Sequence, residues 1–370
     1  MVSFGQRKVG AGSPCLVVAE LGTSHQGDMG RAQELIDAAV QAGAECIKFQ
    51  LVHADEILHP RSGIVELPTG KVALYEQFKA LEKETSFYAE LKARTEAAGA
   101  LFLCTPFGIG SARELRSLAV QALKIASPEL NHFPLLAEAA SYGLPLFLSS
   151  GVSTLGDIER ALAITGRSGA VLMHCITSYP APEEEYNVSV LGGLKKVLGV
   201  EVGLSDHSLD PVLVPALAVL NGACVVEKHF TLSRENIGLD DPIALPPAAF
   251  RRMVQGIRDA EVEGTEAGPS AARTRLEKHY GAARVAAVLG TGVKRMAASE
   301  LENYTRTNRS IHALREIPLG AAIGETDVAI LRTEKVLRPG LGPEFIRLVV
   351  GARARRRIPD GEGIQWADLV

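Results

Sequence analysis

A chain of 370 residues, 46% of them apolar, can build a large core with one smaller unit beside it. A formal net charge of −4 provides no electrostatic footprint for nucleic acid. No run reaches the ~18 apolar residues of a membrane span, and the opening MVSFGQRKVG has no signal-peptide core, so a cytosolic protein engaging neither membrane nor nucleic acid is expected.

In chain order, eight short apolar runs read as strands: 15–20, 44–50, 101–107, 122–127, 145–151, 170–175, 200–207 and 223–230. Continuous apolar runs bounded by Gly, Pro or polar residues suit strands buried on both faces, as in a parallel sheet. Most intervals leave room for one helix each, with apolar periodicity over 29–42, 86–98, 111–119, 131–142 and 154–165. The second connection, 51–100, is about twice the usual length. Its segment 51–72, holding His53, His59, Pro60, Pro68 and Gly70, is expected to act as a lid. Eight such units predict an α/β protein, a (β/α)8 TIM barrel over residues 1–265, with its chemistry at the carboxyl ends of the strands. After Phe250 a helix is expected, then a linker over 266–295 with a helix-like stretch at 271–288. From 296 to 370, short strand-like pieces separated by turn residues read as a small β-rich domain. The five cysteines lie in or beside the predicted strands without CxxC spacing, as free thiols of a reducing compartment. The basic cluster Arg353, Arg355, Arg356 and Arg357 reads as a solvated face.

The strand ends carry the chemistry. His207 and His229 close the seventh and eighth strands, where two imidazoles can converge on a divalent ion such as Mn2+, Fe2+, Co2+ or Zn2+. Asp206 and Glu227 flank them. Lys48, Lys124, Thr105, Ser127, Ser149 and Ser205 ring the same mouth, a donor set for an anionic, phosphate-type ligand. Glu20, Glu129 and the pair Asp240-Asp241 add carboxylates for base or orienting roles, and His25 and Tyr179 lie a few residues beyond strands one and six.

The strings VVAELGTSHQGD, AGAECIKFQ, CTPFG, LKIASPELNHFPLL, LSSGVST, HCITSYPAPEEEYN, GLSDHS and EKHFTL, followed by NRSIHA and LRPGLGPEF, resemble the sialic acid synthase family and its C-terminal antifreeze-like (SAF) domain, in collinear order over nearly the whole chain. The resemblance implies a transferase that forms a carbon–carbon bond between phosphoenolpyruvate and an amino sugar, adds water at carbon 2 and releases phosphate. It implies a divalent cation on His207 and His229, manganese in the first place, with Mg2+ or Co2+ as alternatives. Glu20 would act as base. Lys48, Thr105, Lys124, Ser127, Ser149 and Ser205 would hold phosphoenolpyruvate, with the lysines stabilising the leaving phosphate. Gln50, Glu129, Thr177, Tyr179 and Asp240 would lie near the sugar. A domain-swapped homodimer is implied, with Arg309 of one chain reaching the sugar bound by the other. The sequence departs from the family pattern at Ser24-His25, Ser127-Pro128-Glu129, Thr177 and Gly238-Leu239-Asp240-Asp241, all on the sugar side. Those departures leave open the acceptor (N-acetylmannosamine, a diacetamido-trideoxyhexose, a spore-coat sugar or mannose) and whether Asp241 replaces a usual histidine. Two other readings compete: a Schiff-base aldolase using Lys124 or Lys48, and a non-catalytic carbohydrate- or ice-binding module.

Overall fold

The computed structural model describes every residue except 68, 69, 237 and 335, and only the backbone of Glu66 and Leu67. Pro68 of the predicted lid thus lies outside the described residues. Eight parallel strands form one sheet: β1 Leu16–Gly22, β2 Cys46–Leu51, β3 Leu101–Pro106, β4 Leu123–Ile125, β5 Leu146–Ser149, β6 Ala170–Cys175, β7 Glu201–Asp206 and β8 Val225–His229. The hydrogen-bonded order is β3-β2-β1-β8-β7-β6-β5-β4, and β4 packs beside β3 to close the ring. All eight expected strands form, each within a few residues of the predicted ends.

Alternation along each strand explains the barrel. In β2, Ile47, Phe49 and Leu51 pack outward with the helices, while Cys46 joins an inner cluster with Leu16, Val18, Leu103, Phe147, Val171, Met173 and Val225. Both faces are therefore apolar at the bottom of the barrel, which is why the strands read as unbroken apolar runs. A hairpin over Val2–Phe4 and Arg7–Val9, absent from the sequence reading, plugs this lower end. Its Phe4 ring lies 5.6 Å from that of Phe147. The inner face turns polar only in the last positions of each strand.

The helices follow in alternation: α1 Met29–Gln41, α2 Thr85–Ala97, α3 Ile109–Ser117, α4 Phe133–Ser141, α5 Leu155–Thr165, α6 Val190–Leu198, α7 Leu213–Leu220 and α8 Pro247–Glu266. Local chemistry sets several ends. Asp28 accepts from Arg31 N at the start of α1, and Thr154 and Asp157 cap each other's backbone at the start of α5. Among the described residues, no helix is long and apolar enough to cross a membrane.

One expectation is corrected. Residues 266–295 are not a free linker: helices α9 Pro269–Tyr280 and α10 Ala282–Leu289 pack Leu276, Val285, Val288 and Leu289 into the barrel's outer core. Gly281, at φ 88, makes the break between them, a backbone region open to glycine. The C-terminal unit has its own core, built on Ile311, Ile317, Ile323, Ile358 and Ile364, around the antiparallel pair β9 Arg309–Ala313 and β10 Val328–Arg332. Most of its other strand-like pieces form only isolated bridges, such as Ile317 with Ile358. In the basic cluster, Arg356 pairs with Glu362 and Asp368, and Arg357 with Glu316.

The C-terminal unit docks on the barrel of its own chain through a buried clasp. Glu129 Oε1 accepts from Arg309 Nε and Nη2 at 3.1 and 2.9 Å and from Arg332 Nε and Nη2 at 3.0 and 2.6 Å. Asn131 fixes the register, accepting from Arg309 N and donating to Arg309 O, each at 2.9 Å. His59 and Arg61 of the long second connection bind Asp360 at 3.1 and 2.7 Å. Removing one member of a buried ion pair leaves the other charge uncompensated. Glu129→Ala strands two buried guanidinium groups and is expected to cost about 3–5 kcal/mol in urea unfolding, with faster proteolysis after residue 290. An unchanged midpoint would show that the clasp carries no stability.

Candidate active site

The polar ends of the inner face meet in one cavity of about 670 Å³, walled by strand ends, the loop after β8, the long second connection and the C-terminal unit. Parity decides which residues enter it. Lys48 and Gln50 share the inner face with Cys46, and Glu227 and His229 share it with Val225.

Adjacent strands then set charge beside charge. Glu20 pairs in register with Lys48 on one side and His229 on the other. Lys48 Nζ lies 2.7 Å from Glu20 Oε2, 3.2 Å from Thr105 Oγ1 and 3.6 Å from Glu227 Oε1. Lys124 Nζ meets the same Glu227 oxygen at 3.2 Å. Burial alone would raise the Glu227 carboxyl, but Lys124 and Lys48 outweigh it and hold the group below its usual range. Burial would likewise depress Lys48, yet Glu20 and Glu227 keep its ammonium charged well above the usual range. Burial dominates at Lys124, whose pKa is lowered despite Glu227. Ser149 and Ser205 share a hydrogen bond of 2.9 Å, and Ser127 Oγ accepts from Gly151 N at 3.1 Å. Gln50 donates to Glu20 Oε1 at 2.7 Å.

Opposite these groups, His207 and His229 stand with ring centroids 5.5 Å apart, and Tyr179 stacks on His207 at 4.2 Å. His207 Nδ1 lies 2.8 Å from Ile176 O, and a carbonyl only accepts. The proton therefore sits on Nδ1, and Nε2 keeps a free lone pair. Burial lowers both imidazoles, His229 to about 3, so both are neutral at physiological pH, the form that binds a metal. Asp240 Oδ2 lies 3.7 Å from His229 Nδ1. Burial raises its carboxyl to about 6, with His207 and Lys48 pulling the other way. Among the described residues no group of three or more His, Cys, Asp or Glu side chains is placed to hold a metal ion. Two neutral imidazoles are the kind of donor a divalent cation takes, and as a pair they would leave its other positions to water or substrate.

The cavity thus gathers Glu20, Lys48, Gln50, Thr105, Lys124, Ser127, Ser149, Thr177, Tyr179, Ser205, His207, His229 and Asp240. Glu129 and Arg309 are placed elsewhere: they form the clasp beside the cavity, both side chains fully buried. His25 is also outside, between the rings of Phe49 and Phe87. Asp206 faces away from the mouth and binds Lys228 at 2.6 Å. Asp241 accepts from Ser24 Oγ and Gly238 N, each at 2.8 Å, so it ties the loop after β8 to the loop after β1 and does not stand in for a metal-binding histidine.

Sequence reasoning did not place Glu227 in the site, although its spacing from His229 signals the same face. It also missed Glu302, Asn303, Thr307, Arg332 and Glu334, which line the cavity from the C-terminal segment. Glu300 is another omission: its Oε1 accepts from Val152 N and Thr177 N, both at 2.7 Å, pinning that segment across the mouth. Val65, Leu74 and Phe78 of the long second connection form an apolar part of the wall.

Comparison with known proteins matches the NeuB family model over residues 35–267 and the SAF domain model over 308–370. The chain belongs to the NeuB family. Within it, the spore coat polysaccharide biosynthesis protein SpsE of Bacillus subtilis is 34% identical over 373 residues, 99% of this chain and 96% of that protein. Its crystal structure matches with a TM-score of 0.83 at 33% identity, covering 100% of this chain and 98% of that one. The N,N'-diacetyllegionaminic acid synthase of Legionella pneumophila is 32% identical, covering 99% of this chain and 97% of that protein. The N-acetylneuraminic acid synthetase of Leptospira borgpetersenii, solved with citrate, matches with a TM-score of 0.63 at 32% identity, covering 82% of this chain and 94% of that one. The resemblance read from the motifs therefore holds at family level, as do the barrel and the SAF domain.

Proposed function

We propose that this NeuB-family chain is a nonulosonic acid synthase. It condenses phosphoenolpyruvate with the open-chain form of an N-acylated hexosamine such as N-acetylmannosamine, adds water and releases phosphate. The observation that carries the reading is one cavity with two buried ammonium groups and four hydroxyls facing a pair of neutral imidazoles, with Glu20 between them in register.

Lys48, Lys124, Thr105, Ser127, Ser149 and Ser205 bind the phosphate and carboxylate of phosphoenolpyruvate as donors already in place, which is electrostatic preorganisation. Carbon 3 of the enol attacks the sugar aldehyde, and positive charge develops at carbon 2. Water adds there, giving its proton to Glu20, whose other neighbours Gln50 and Lys48 hold the carboxylate in position. The tetrahedral carbon collapses with C–O cleavage, and the two ammonium groups stabilise the departing phosphate. His207 and His229, with Asp240 nearby, would hold a divalent cation, Mn2+ in the first place and Mg2+ or Co2+ as alternatives. When bound, such a cation supplies Lewis acidity to the aldehyde oxygen. The Schiff-base reading finds no support at Lys48, which two carboxylates keep charged, and is confined to Lys124, whose pKa burial lowers. Five buried free cysteines suit a cytosolic setting.

We also infer a homodimer that exchanges C-terminal units, since the clasp contacts seen within one chain can form equally between two. Mixing Glu20→Ala with Arg309→Ala chains under subunit exchange should then restore part of the activity. Heterodimers that stay inactive would confine each unit to its own barrel.

Two measurements test the chemistry. EDTA treatment is expected to abolish phosphate release, and His229→Ala to lose bound metal while keeping a folded circular dichroism spectrum; a fully active, metal-replete His229→Ala would remove the metal assignment. Lys124→Met should raise KM for phosphoenolpyruvate roughly ten- to a hundredfold, about 1.5–3 kcal/mol for a charge-assisted contact, with little change for the sugar. Equal weakening of both would make Lys124 structural.

A further inference from the structure

The loop after β5 carries Ser149 and runs through Gly151 and Val152 to the cap of α5 at Thr154. Val152 is buried and adopts φ 42, a left-handed conformation that a β-branched side chain rarely takes. Such a backbone persists only where its surroundings over-determine it, and the segment leading into the C-terminal unit holds both of its polar groups. Glu300 Oε1 accepts from Val152 N at 2.7 Å, and Asn308 Nδ2 donates to Val152 O at 3.1 Å. The two holders are themselves fixed: Asn308 Oδ1 accepts from Thr305 N at 2.8 Å, and Glu300 Oε2 from Ala297 N at 3.2 Å.

The same loop reaches the substrate side. Gly151 N donates to Ser127 Oγ at 3.1 Å, which occupies that oxygen as an acceptor and leaves its proton for a ligand oxygen. The approach is close: a Cβ on Gly151 would collide with Thr177 Oγ1 and stand 2.9 Å from Ser127 Oγ and 3.1 Å from Glu300 Oε1. Lys294 Nζ adds a third tie, donating to Ser150 O at 3.2 Å. Ser127 and Ser149 both line the cavity. The loop that bears one phosphate-side hydroxyl and orients another is therefore fastened, at Ser150 and Val152, by side chains from the segment 294–308.

We propose that Glu300 and Asn308 are positioning residues for phosphoenolpyruvate. They hold Val152 in its left-handed conformation, so that the loop meets Ser127 and the phosphate-side hydroxyls are in place before the anion binds. With either contact gone, Val152 relaxes toward negative φ and Gly151 N leaves Ser127. The donor set is complete only while the segment 294–308 is docked. Docking and anion binding are then linked: docking tightens anion binding, and a bound anion tightens docking by the same factor. The proposal rests on the synthase reading. It holds whichever chain of a dimer supplies the segment.

The test uses the full chain with manganese, reading phosphoenolpyruvate affinity by calorimetry and the rate of tryptic cleavage at Lys294, Arg295 and Arg306. In the wild type, phosphoenolpyruvate should slow that cleavage. Asn308→Ala and Glu300→Ala should each weaken phosphoenolpyruvate roughly three- to tenfold, as the loss of a hydrogen bond does, and lose most of the protection. Adding Val152→Gly to Asn308→Ala should recover most of the affinity, because glycine holds a positive φ without strain. A merely destabilised fold would not be rescued by removing a buried side chain. Unchanged affinity in both folded variants, or a loss in Asn308→Ala that Val152→Gly leaves in place, overturns the proposal. A wild type that binds no phosphoenolpyruvate would instead remove the synthase reading, and the proposal falls with it.

Discussion

Two ammonium groups buried in a barrel mouth need a carboxylate between them, and Glu227 supplies it. Its Oε1 lies within 3.6 Å of Lys48 and 3.2 Å of Lys124. Without it the lysines would repel each other in a low-dielectric layer and would be driven toward the neutral form. With it Lys48 is held cationic, and at Lys124 the carboxylate offsets part of the effect of burial. Glu20 does the same for Lys48 from the other side. The lysine half of the cavity is thus a set of opposed charges whose members hold one another in place.

That layer depends on what lies beneath and around it. Below, the inner face is apolar and plugged by the N-terminal hairpin, so water reaches the ion pairs only from the mouth. Just outside the ring, Lys228 Nζ binds Asp206 at 2.6 Å, and Ser208 N donates to the same carboxylate at 2.8 Å. These residues adjoin His229 and His207 in sequence and point the other way, so their buried contacts fix the backbone that carries the two imidazoles. The strands therefore use both faces: one presents the imidazoles, the other pins them.

Much of this was legible in the sequence, because a strand buried on both faces leaves an unbroken apolar run and its polar end stands out. The eight strands, the two histidines and the phosphate-side residues follow from that contrast. Glu227 was named only as a neighbour, though a spacing of two from His229 places both on the inner face. By the same rule Asp206, one residue before His207, belongs outside. Arg332 and Glu334 had no such signal, since their place in the cavity depends on how a separate domain docks. Helices α9 and α10 fall in the expected linker, where a helix-like stretch was read at 271–288, and Leu276, Val285, Val288 and Leu289 tie them to the core.

Docking of the C-terminal unit joins the two halves of the chemistry. Glu129 follows β4, two residues beyond Ser127, and it is claimed by two arginines from β9 and β10. The same unit is held by Glu300 to the loops after β5 and β6 and by His59 and Arg61 to the long second connection. Loops around the cavity are thereby tied to one cover, which narrows the access of bulk water to the mouth. The arginine that the family resemblance assigned to the sugar has, in this chain, become part of that lock, and its strand neighbour is left facing the cavity. A barrel of ordinary design thus has its mouth closed by a separate piece of the same chain.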